Sequence, residues 1–452
     1  MNMNAVQDPT KDPTQDPMRA YLDAVRGADL TRRSGKVLAV TGHSIEAAGP
    51  AAALGELCEL ALEGGGRLLA EVVGLRPGRV ILMPYGDPRG VGAGSDVVAG
   101  GAPPGIGVGA ALLGRVIDPF GAPLDGKPAP QPLTLRSLYA APINPLTRPP
   151  IGRLLETGVR AIDSLLPLGC GQRVGIFAGS GVGKSTLLGM LARRVASDVN
   201  VIALIGERGR EVREFVEEQL GAEGLRRSVV LVATSDQPAL VRLRAAHAAT
   251  AIAEYFRDQG RQVLLMMDSI TRFAMARREI GLAAGEPPTA RGYTPSVFND
   301  IPALCERCGA TDSGGAISAL YTVLVEGDDF NEPISDIVRA TLDGHIMLSR
   351  ALAHEGHFPA IDVLQSASRL VSQLAAREER ATMGAAVELL ATYERNRQML
   401  DMGAYRAGSN PAIDRAVQAF PGLRAFLRQA VDEAANRGEA LARLRQLVAE
   451  AP

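Results

Sequence analysis

The sequence predicts an α/β fold: a parallel-sheet core, with a small β-barrel domain before it and a helical domain after it. Three observations lead to this prediction. Strand-like apolar runs alternate with amphipathic helical runs between Gly152 and about Arg369, short apolar runs fill Lys36 to Pro84, and the chain beyond Ser372 is rich in Ala, Leu, Glu and Arg. The expected domains are a tail at 1–27, the barrel at 28–95, the α/β domain at 96–375 and the helical domain at 376–452.

The N-terminal part predicts a tail followed by the barrel. Met1 to about Asp16 contains DPTKDPTQDP, a repeat that cannot bury apolar surface, so we expect it to be disordered. A helix is expected around Met18 to Val25. The barrel is expected from the runs VLAV, GELCELAL, RLLAEVVGL and RVILM, which Gly, Pro or charged turns divide.

A connection rich in Gly and Pro, Gly86 to Pro150, is expected between the barrel and the α/β domain. Gly105, Gly107 and Gly109 within it resemble a dinucleotide-binding fingerprint. No strand-loop-helix pattern surrounds these glycines, however. We therefore interpret them as part of the connection.

Crossover units predict the parallel sheet. Its strands are expected at 201–206, 229–233, 263–268 and 319–327, and its helices between them at 211–220, 239–257 and 272–280.

The stretch Arg173 to Arg193 reads RVGIFAGSGVGKSTLLGMLAR, which predicts a strand, a glycine-rich turn and a helix. Glycines allow backbone conformations in which successive N–H groups point at one set of oxygens. A helix N-terminus, a lysine charge and a hydroxyl complete a phosphate-binding P-loop, the Walker A motif. Ala178 holds the first position, where the strict pattern has Gly, but the inner glycines remain. The candidate nucleotide-binding residues are Gly179, Ser180, Gly181, Val182, Gly183, Lys184, Ser185 and Thr186, with Ser185 also a candidate Mg²⁺ ligand.

Two carboxylates follow predicted strands and complete a candidate hydrolase site. Asp268 ends the run VLLMMD, the Walker B form, where it could hold Mg²⁺ and could also cap the next helix. Glu207 follows VIALIG and opens GERGRE, where it could orient the water that attacks the γ-phosphate. From the residues alone, a solvated charged turn explains Glu207, Arg208 and Arg210 equally well.

Composition excludes several classes of function. The net charge is −2 with no long basic run, so we expect no nucleic-acid partner. Residues 1–20 lack the pattern of a signal peptide, which favours a cytoplasmic location. The uncharged stretch from Val97 to Gly114 is too rich in Gly and Pro for a membrane helix. We interpret the C-x-x-C of Cys305 and Cys308 as structural thiols, because no further ligand stands at zinc-binding spacing.

Four segments together resemble the rotary-type ATPases, and most closely the ATPases of type III secretion in the injectisome and the flagellar export apparatus. They are GVRAIDSLLPLGCGQRVGIFAGSGVGKSTLLGMLAR (Gly158 to Arg193), IGERGREVREF (Ile205 to Phe215), MMDSITRFAMARREIG (Met266 to Gly281) and FPAIDVLQSASR (Phe358 to Arg369). The resemblance covers the chain from about Lys36 to its C-terminus. It implies a RecA-like P-loop domain in a homohexameric ring, with ATP bound between subunits.

The resemblance also implies roles for individual residues. Lys184 grips the β- and γ-phosphates, Ser185 and Asp268 hold Mg²⁺, and Glu207 is the catalytic carboxylate with Arg208 beside it. Arg369 matches an arginine finger that reaches into the neighbouring subunit's site. Phe358 falls where relatives stack an aromatic ring on adenine, although composition alone favours a core Phe. His354 and His357 flank that position at i, i+3, but no third ligand completes a metal site.

The function implied is an ATPase motor that releases chaperones from secretion substrates at the cytoplasmic face of the inner membrane. Implied partners are stalk and stator proteins, chaperone–substrate complexes and the export gate. Alternatives are the catalytic subunit of a rotary ATP synthase, a Rho-like RNA translocase and a non-catalytic ring subunit. The segment SVVLVATSDQPALVRLRAAHAATAIAEYFRDQG favours the injectisome over the flagellum.

Overall fold

A computed structural model describes residues 32–101, 103–325, 329–330 and 332–450. The Asp-Pro-Thr repeat and the helix predicted around residues 18–25 lie outside these ranges. The chain divides into two compact units: one holds the described part of Met1–Leu82 with Asp87–Pro103, and the other Met83–Gly86 with Pro104–Pro452.

The first unit is the predicted β-barrel, closed in the order β1-β2-β5-β4-β3-β6. Its strands are β1 (Ser34–Thr41), β2 (Ser44–Ala48), β3 (Leu57–Ala61), β4 (Arg67–Arg76), β5 (Arg79–Pro84) and β6 (Asp96–Ala99). Side chains alternate between core and surface, so that Ile45, Ala47, Cys58 and Leu60 fill the interior. The predicted boundary at residue 95 falls just before β6, which closes the barrel. Because β6 has only four residues and follows a Gly-rich turn, no apolar run marks it.

A two-stranded sheet stands where the sequence predicts a connection. Its strands are β7 (Gly105–Val108) and β9 (Thr134–Ser137), and they are antiparallel. A Cβ on Gly107 would lie 2.9 Å from Leu133, and one on Gly109 would lie 2.8 Å from the Pro132 carbonyl oxygen. These glycines therefore allow close packing against the segment before β9, which is how the fingerprint-like spacing arises.

The second unit is built on the predicted parallel sheet. Its main path runs β19-β18-β12-β17-β15-β13-β14-β8, and neighbours on it are parallel except β18 and β19. The strands of this unit are β8 (Arg115–Ile117), β10 (Leu154–Leu155), β11 (Leu168–Gly169), β12 (Arg173–Ala178), β13 (Val199–Ile205), β14 (Ser228–Ala233), β15 (Gln262–Asp268), β16 (Gly309–Ala310), β17 (Ala316–Leu324), β18 (Gly344–Leu348) and β19 (Ile361–Ser368). The strands β12 to β15 are buried almost throughout, as a sheet covered on both faces requires.

Helices connect these strands and follow them. They are α1 (Arg160–Leu165), α2 (Lys184–Arg194), α3 (Gly209–Glu214), α4 (Gly221–Arg226), α5 (Ala239–Asp258), α6 (Ile270–Ala284), α7 (Pro295–Glu306), α8 (Pro333–Thr341), α9 (Arg350–His354), α10 (Val371–Leu374), α11 (Arg377–Asp401), α12 (Pro411–Leu427) and α13 (Arg437–Ala449). A π-helical segment, Phe215–Leu220, joins α3 to α4. In the part of the chain that the structure describes, no helix combines the length and the apolar character needed to cross a bilayer.

The C-terminal helices begin close to the predicted boundary at residue 376. Their apolar faces belong to the same hydrophobic cluster as the helix after the P-loop: Leu389 of α11, Leu423 of α12 and Leu444 of α13 join Leu187 and Leu191 of α2. These helices therefore share a core with the sheet unit, although the sequence predicts them as a separate domain.

Candidate active site

The P-loop lies between β12 and α2, as predicted. Gly181 and Gly183 have φ of 77° and 85°, a region that residues with a Cβ rarely adopt. Ala178 is the buried last residue of β12, so the loop proper starts after the position where the strict pattern expects Gly. Val182 turns its side chain into the core, so only its backbone can face a ligand.

A cavity of about 590 Å³ lies at the carboxyl ends of the strands. Its lining includes seven of the eight predicted loop residues: Gly179, Ser180, Gly181, Gly183, Lys184, Ser185 and Thr186. Its size is typical of a small-molecule site. Because the loop amides and the N-terminus of α2 lie along it, the cavity suits a phosphate-bearing ligand.

Lys184 joins the two predicted carboxylates. Its Nζ lies 2.5 Å from Oδ1 of Asp268 and 3.2 Å from Oε1 of Glu207. Thr322 of β17 donates its hydroxyl to the same Asp268 oxygen at 2.6 Å. These side chains come from distant parts of the sequence, and the parallel sheet brings them to one edge.

Burial and charge set the protonation of this group. Burial alone would lower the pKa of Lys184, but the Asp268 and Glu207 carboxylates raise it above its ordinary value, so the ammonium stays charged. Burial raises the pKa of Glu207, and the Glu211 carboxylate, which accepts a hydrogen bond from the protonated Glu207 carboxyl, adds to this against the charge of Lys184. A carboxylate with a raised pKa is a better proton acceptor than an exposed one.

Arg208 lies beside Glu207 but faces solvent. Its side chain is 82% exposed and pairs with Glu211 at 3.3 Å. The turn before it needs glycine, because Gly206 has φ of 71° and a Cβ there would lie 2.9 Å from Arg272.

Arg272, Arg350 and Ser235 also line the cavity, and the sequence prediction had missed all three. Nε of Arg272 is buried with no hydrogen-bond partner among the described residues, which leaves a donor for an anion. Its position four residues after Asp268, in the first turn of α6, is the signal that could have identified it. Nothing local distinguishes Arg350 from the other arginines.

Phe358 lies at the far side of the loop from Asp268. A Cβ on Gly183 would lie 3.5 Å from its ring, and the ring side chain is 46% exposed. The backbone N–H of Gln429 donates to its carbonyl oxygen at 2.9 Å. This exposed aromatic is not a core residue, and a nucleobase could stack on it.

Arg369 is not part of the cavity. Ser368, at the end of β19, pairs with Gly344, and Gly344 pairs with Val174 near the start of β12. The P-loop follows the other end of β12, roughly 13 Å away at about 3.3 Å per residue. Nη2 of Arg369 instead donates to the carbonyl oxygen of Arg339 at 3.1 Å.

The cysteine pair and His357 are packed into the protein, whereas His354 is exposed. Cys305 and Cys308 are buried, Sγ of Cys308 lies 3.2 Å from the hydroxyl of Tyr321, and burial raises the pKa of Cys308 to about 11. His357 is buried as well, and burial lowers its pKa to about 4. In the described ranges, His, Cys, Asp and Glu form no group of three that could hold a metal ion.

The residues present fit Mg²⁺ accompanied by phosphates. Ser185 offers a hydroxyl at the cavity wall, and Asp268 offers a carboxylate that is only 4% exposed. Mg²⁺ prefers such oxygen ligands in small number, with phosphate and water completing its shell.

The fold and this edge of the sheet define a P-loop nucleotide-binding protein of the rotary-ATPase type. The model of the ATP synthase alpha/beta family nucleotide-binding domain matches residues 158–368, and the model of that family's beta-barrel domain matches residues 37–101. The model of the T3SS EscN ATPase C-terminal domain matches residues 375–446.

Relatives that match nearly the whole chain identify its family within this class of P-loop proteins. The chain is 54% identical over 431 residues to the flagellum-specific ATP synthase of Bacillus subtilis, covering 95% of this chain and 98% of that protein. It is 50% identical over 403 residues to the type 3 secretion system ATPase of Xanthomonas euvesicatoria, covering 89% and 91%. The assembled ATPase EscN of the enteropathogenic E. coli type III secretion system matches with a TM-score of 0.87 and 45% identity, over 92% of this chain and 100% of that one. The chain therefore belongs to the family of type III secretion and flagellar export ATPases, and the predicted family, fold class and ATPase activity are confirmed.

Proposed function

We propose that the chain is the ATP-hydrolysing motor of a bacterial type III protein export machine, and that it works as a homohexameric ring with ATP and Mg²⁺. The observation that carries the proposal is the contact of Lys184 with both Glu207 and Asp268 at the P-loop cavity. ATP hydrolysis needs a cation that binds phosphate, a carboxylate that holds the metal ion and a carboxylate that orients the attacking water.

The side chains divide the work. When nucleotide binds, Lys184 exchanges its carboxylate partners for the β- and γ-phosphates, which frees Asp268 and Glu207. Mg²⁺, held by Ser185 and Asp268, would neutralise phosphate charge. Glu207 then orients the attacking water and accepts its proton, while Arg272 donates to the terminal phosphate from the opposite wall.

Glu207→Gln tests the hydrolytic role. ATP binding should persist and turnover should be lost, because the amide keeps the shape but cannot accept the proton. Glu217→Gln is the matched control, since Glu217 lies farther along the same segment in an exposed ion pair with Arg213. Unchanged turnover in Glu207→Gln would remove this residue from the mechanism.

Arg369 supports a site shared between copies. It lies too far from its own P-loop to contact a nucleotide there, whereas an arginine finger from a neighbour would stabilise the transition state. Arg369→Ala should form oligomers near-normally, and its turnover should fall by at least about a hundredfold. Wild-type turnover in this variant would contradict the shared site.

Mixing two inactive variants tests this arrangement directly. Lys184→Ala removes the loop cation and Arg369→Ala removes the finger, so each pure preparation should be inactive. In an equal mixture that exchanges subunits, about one interface in four pairs an intact loop with an intact finger, and partial activity should return. No recovery in verified mixed oligomers would show that both residues serve the same chain's site.

The machine and its partners complete the proposal. We infer that the chain acts at the cytoplasmic face of the inner membrane, releases chaperones from their substrates and contacts stalk and stator proteins and the export gate. A structure of EscN in complex with its central stalk EscO matches this chain with a TM-score of 0.84. The injectisome stays a prediction, and the 54% identity to a flagellum-specific relative supports the flagellar alternative. Capture from native cells decides between them by the recovery of needle-complex or flagellar components.

A further inference from the structure

The short helix α9 (Arg350–His354) adjoins the candidate active site at its first residue. Arg350 lines the cavity together with the P-loop residues. It follows β18, whose Met347 pairs with Phe177 one residue before the end of β12. In the order of the sheet, β18 and β17 flank β12 on opposite sides, and β15 lies beyond β17. Arg350 therefore enters from the flank opposite Asp268 and Arg272.

Under the proposed function, with a nucleobase stacked on Phe358, this flank is the nucleoside side of the site. Phe358, the candidate stacking residue, follows α9 by four residues and lies against Gly183. Asp268 and Arg272 mark the other flank, where the terminal phosphate and its metal belong. Arg350 lines the cavity with the loop on this same flank, so it is placed for the inner phosphates, which ATP and ADP share. A guanidinium binds phosphate oxygens through paired N–H donors.

The residue after α9 ties this helix to the C-terminal helices. Oε1 of Glu355 accepts a hydrogen bond from Nη2 of Arg397 in α11 at 2.6 Å, and Oε2 accepts one from Nη2 of Arg424 in α12 at 2.8 Å. Nη2 of Arg428 donates to the Glu355 carbonyl oxygen at 3.1 Å. One carboxylate thus holds two helices at the end of a helix of five residues.

Beside the ion pairs of Glu355 with Arg397 and Arg424, α9 does not pack tightly on the C-terminal helices. A cavity of about 360 Å³ lies between them, lined by Leu352, Glu355, Arg397, Phe420 and Arg424 among others. Nδ1 of His357, which also lines this cavity, is buried with no hydrogen-bond partner in the described part of the chain. The ion pairs, rather than close packing, therefore set the position of α9 on this side.

We propose that Arg350 is a further nucleotide-binding residue, which contacts the inner phosphates, and that Glu355 is a positioning residue, which sets Arg350 through α9. Nucleotide affinity and the placement of the C-terminal helices are then linked by the same short helix. The proposal rests on the proposed function, because it needs a nucleotide in the P-loop cavity.

Equilibrium binding of ATP and ADP to the full-length chain tests the role of Arg350. Arg350→Ala should raise Kd for both nucleotides by a similar factor, about 10- to 100-fold, as the loss of one charged hydrogen-bond pair predicts. At saturating ATP, kcat should change far less than KM. Arg272→Ala should instead weaken ATP more than ADP. Arg395→Ala, an exposed arginine on α11, is the control and should bind both like wild type.

Nucleotide binding by the wild-type chain distinguishes a failure of the proposed function from a failure of the role of Arg350. A wild-type chain that binds no nucleotide would overturn the proposed function itself. Normal wild-type binding, together with unchanged Kd values in Arg350→Ala, would overturn only the role of Arg350. Should the alanine variant not fold, Arg350→Gln keeps a polar side chain of the same first three carbons without the charge and must give the same loss.

A double-mutant cycle tests Glu355. Glu355→Gln should raise both Kd values several-fold in the wild-type background, and should have no further effect when Arg350 is already Ala. A merely structural role for Glu355 would weaken binding equally in both backgrounds and would overturn the positioning role. Arg397→Gln, which removes one of the two arginines that hold Glu355, should reproduce part of the effect.

Discussion

Gly189 lies in the middle of α2, five residues after the P-loop lysine, and has no room for a side chain. A Cβ built on it would lie 2.8 Å from Cβ of Gln219 and 2.9 Å from the Gln219 carbonyl oxygen. Gln219 belongs to the π-helical segment that follows Glu207 and Arg208 in the chain. The absence of a Cβ at residue 189 therefore sets how closely the helix of the phosphate loop approaches the segment that follows Glu207.

The magnitude follows from a matched pair of substitutions, Gly189→Ala and Gly384→Ala. Both place alanine inside a helix, which by itself stabilises by about 1 kcal/mol. Gly384, in α11, has open space around its would-be Cβ, so only the favourable effect remains. At Gly189 the clash with backbone adds an overpacking cost of about 1–3 kcal/mol. The difference between the two variants isolates this clash, because the helix-propensity effect is the same in both.

Thermal unfolding measures this difference. At roughly 2–4 °C per kcal/mol, Gly384→Ala should raise the midpoint of the transition that ADP shifts, and Gly189→Ala should leave it unchanged or lower it. Turnover should fall in Gly189→Ala alone, because α2 and the segment beyond Glu207 are pushed apart. If Gly189→Ala were as stable and as active as Gly384→Ala, the close approach of the two helices would have no role in the site.

Three further predictions concern charge and backbone near the site. Glu211→Gln should move the acid limb of the pH profile of kcat/KM to lower pH, because Glu211 raises the pKa of Glu207 and this base must be ionised to act. An unmoved limb would show that Glu211 does not influence the group that titrates there. The free energy of unfolding should fall as the pH drops from about 6.5 toward 4, because burial holds the pKa of His357 at about 4 and the unfolded chain takes up the proton first. His357→Gln should flatten this part of the plot of unfolding free energy against pH, and an unaltered slope would show that other groups cause the fall. Gly206→Ala should lower turnover by more than its loss of stability explains, because the φ of 71° disfavours a Cβ and the new methyl would displace Arg272. Thermal unfolding and ATPase assays of the same preparation measure both effects, and normal turnover would contradict this prediction.

The parts of the site that the sequence predicts are those with a local signature. A strand, a glycine turn and a helix in succession predict the P-loop at Gly179 to Thr186, and a carboxylate at the end of an apolar run predicts Asp268. Both motifs carry their structural context within about twenty residues. Their positions in the structure therefore agree closely with the sequence pattern.

The parts that the sequence does not predict depend on the order of the strands. Arg350 enters the cavity only because β18 lies beside β12, and no periodicity encodes that neighbourhood. The closing strand of the barrel, Asp96–Ala99, is too short to stand out from the Gly-rich turns around it. Glu207 is an intermediate case, because a charged turn has the same local pattern and only its contact with Lys184 distinguishes the two.

The direction of β19 explains how one strand can serve two sites under the proposed function. Ile361 pairs with Leu348 near the P-loop end of the sheet, and Ser368 pairs with Gly344 at the opposite end. Because these partners in β18 are four residues apart, the two ends of β19 are separated by roughly 13 Å at about 3.3 Å per residue, and Phe358 before the strand and Arg369 after it lie at opposite ends. Phe358 then contacts the nucleotide of its own chain, whereas Arg369 is presented to a neighbour. β19 lies antiparallel to β18 at the edge of the sheet. A shift of this strand on nucleotide binding would therefore move Arg369, the finger of the adjacent site. Nucleotide binding in one subunit of a ring would in this way be coupled to hydrolysis in the next.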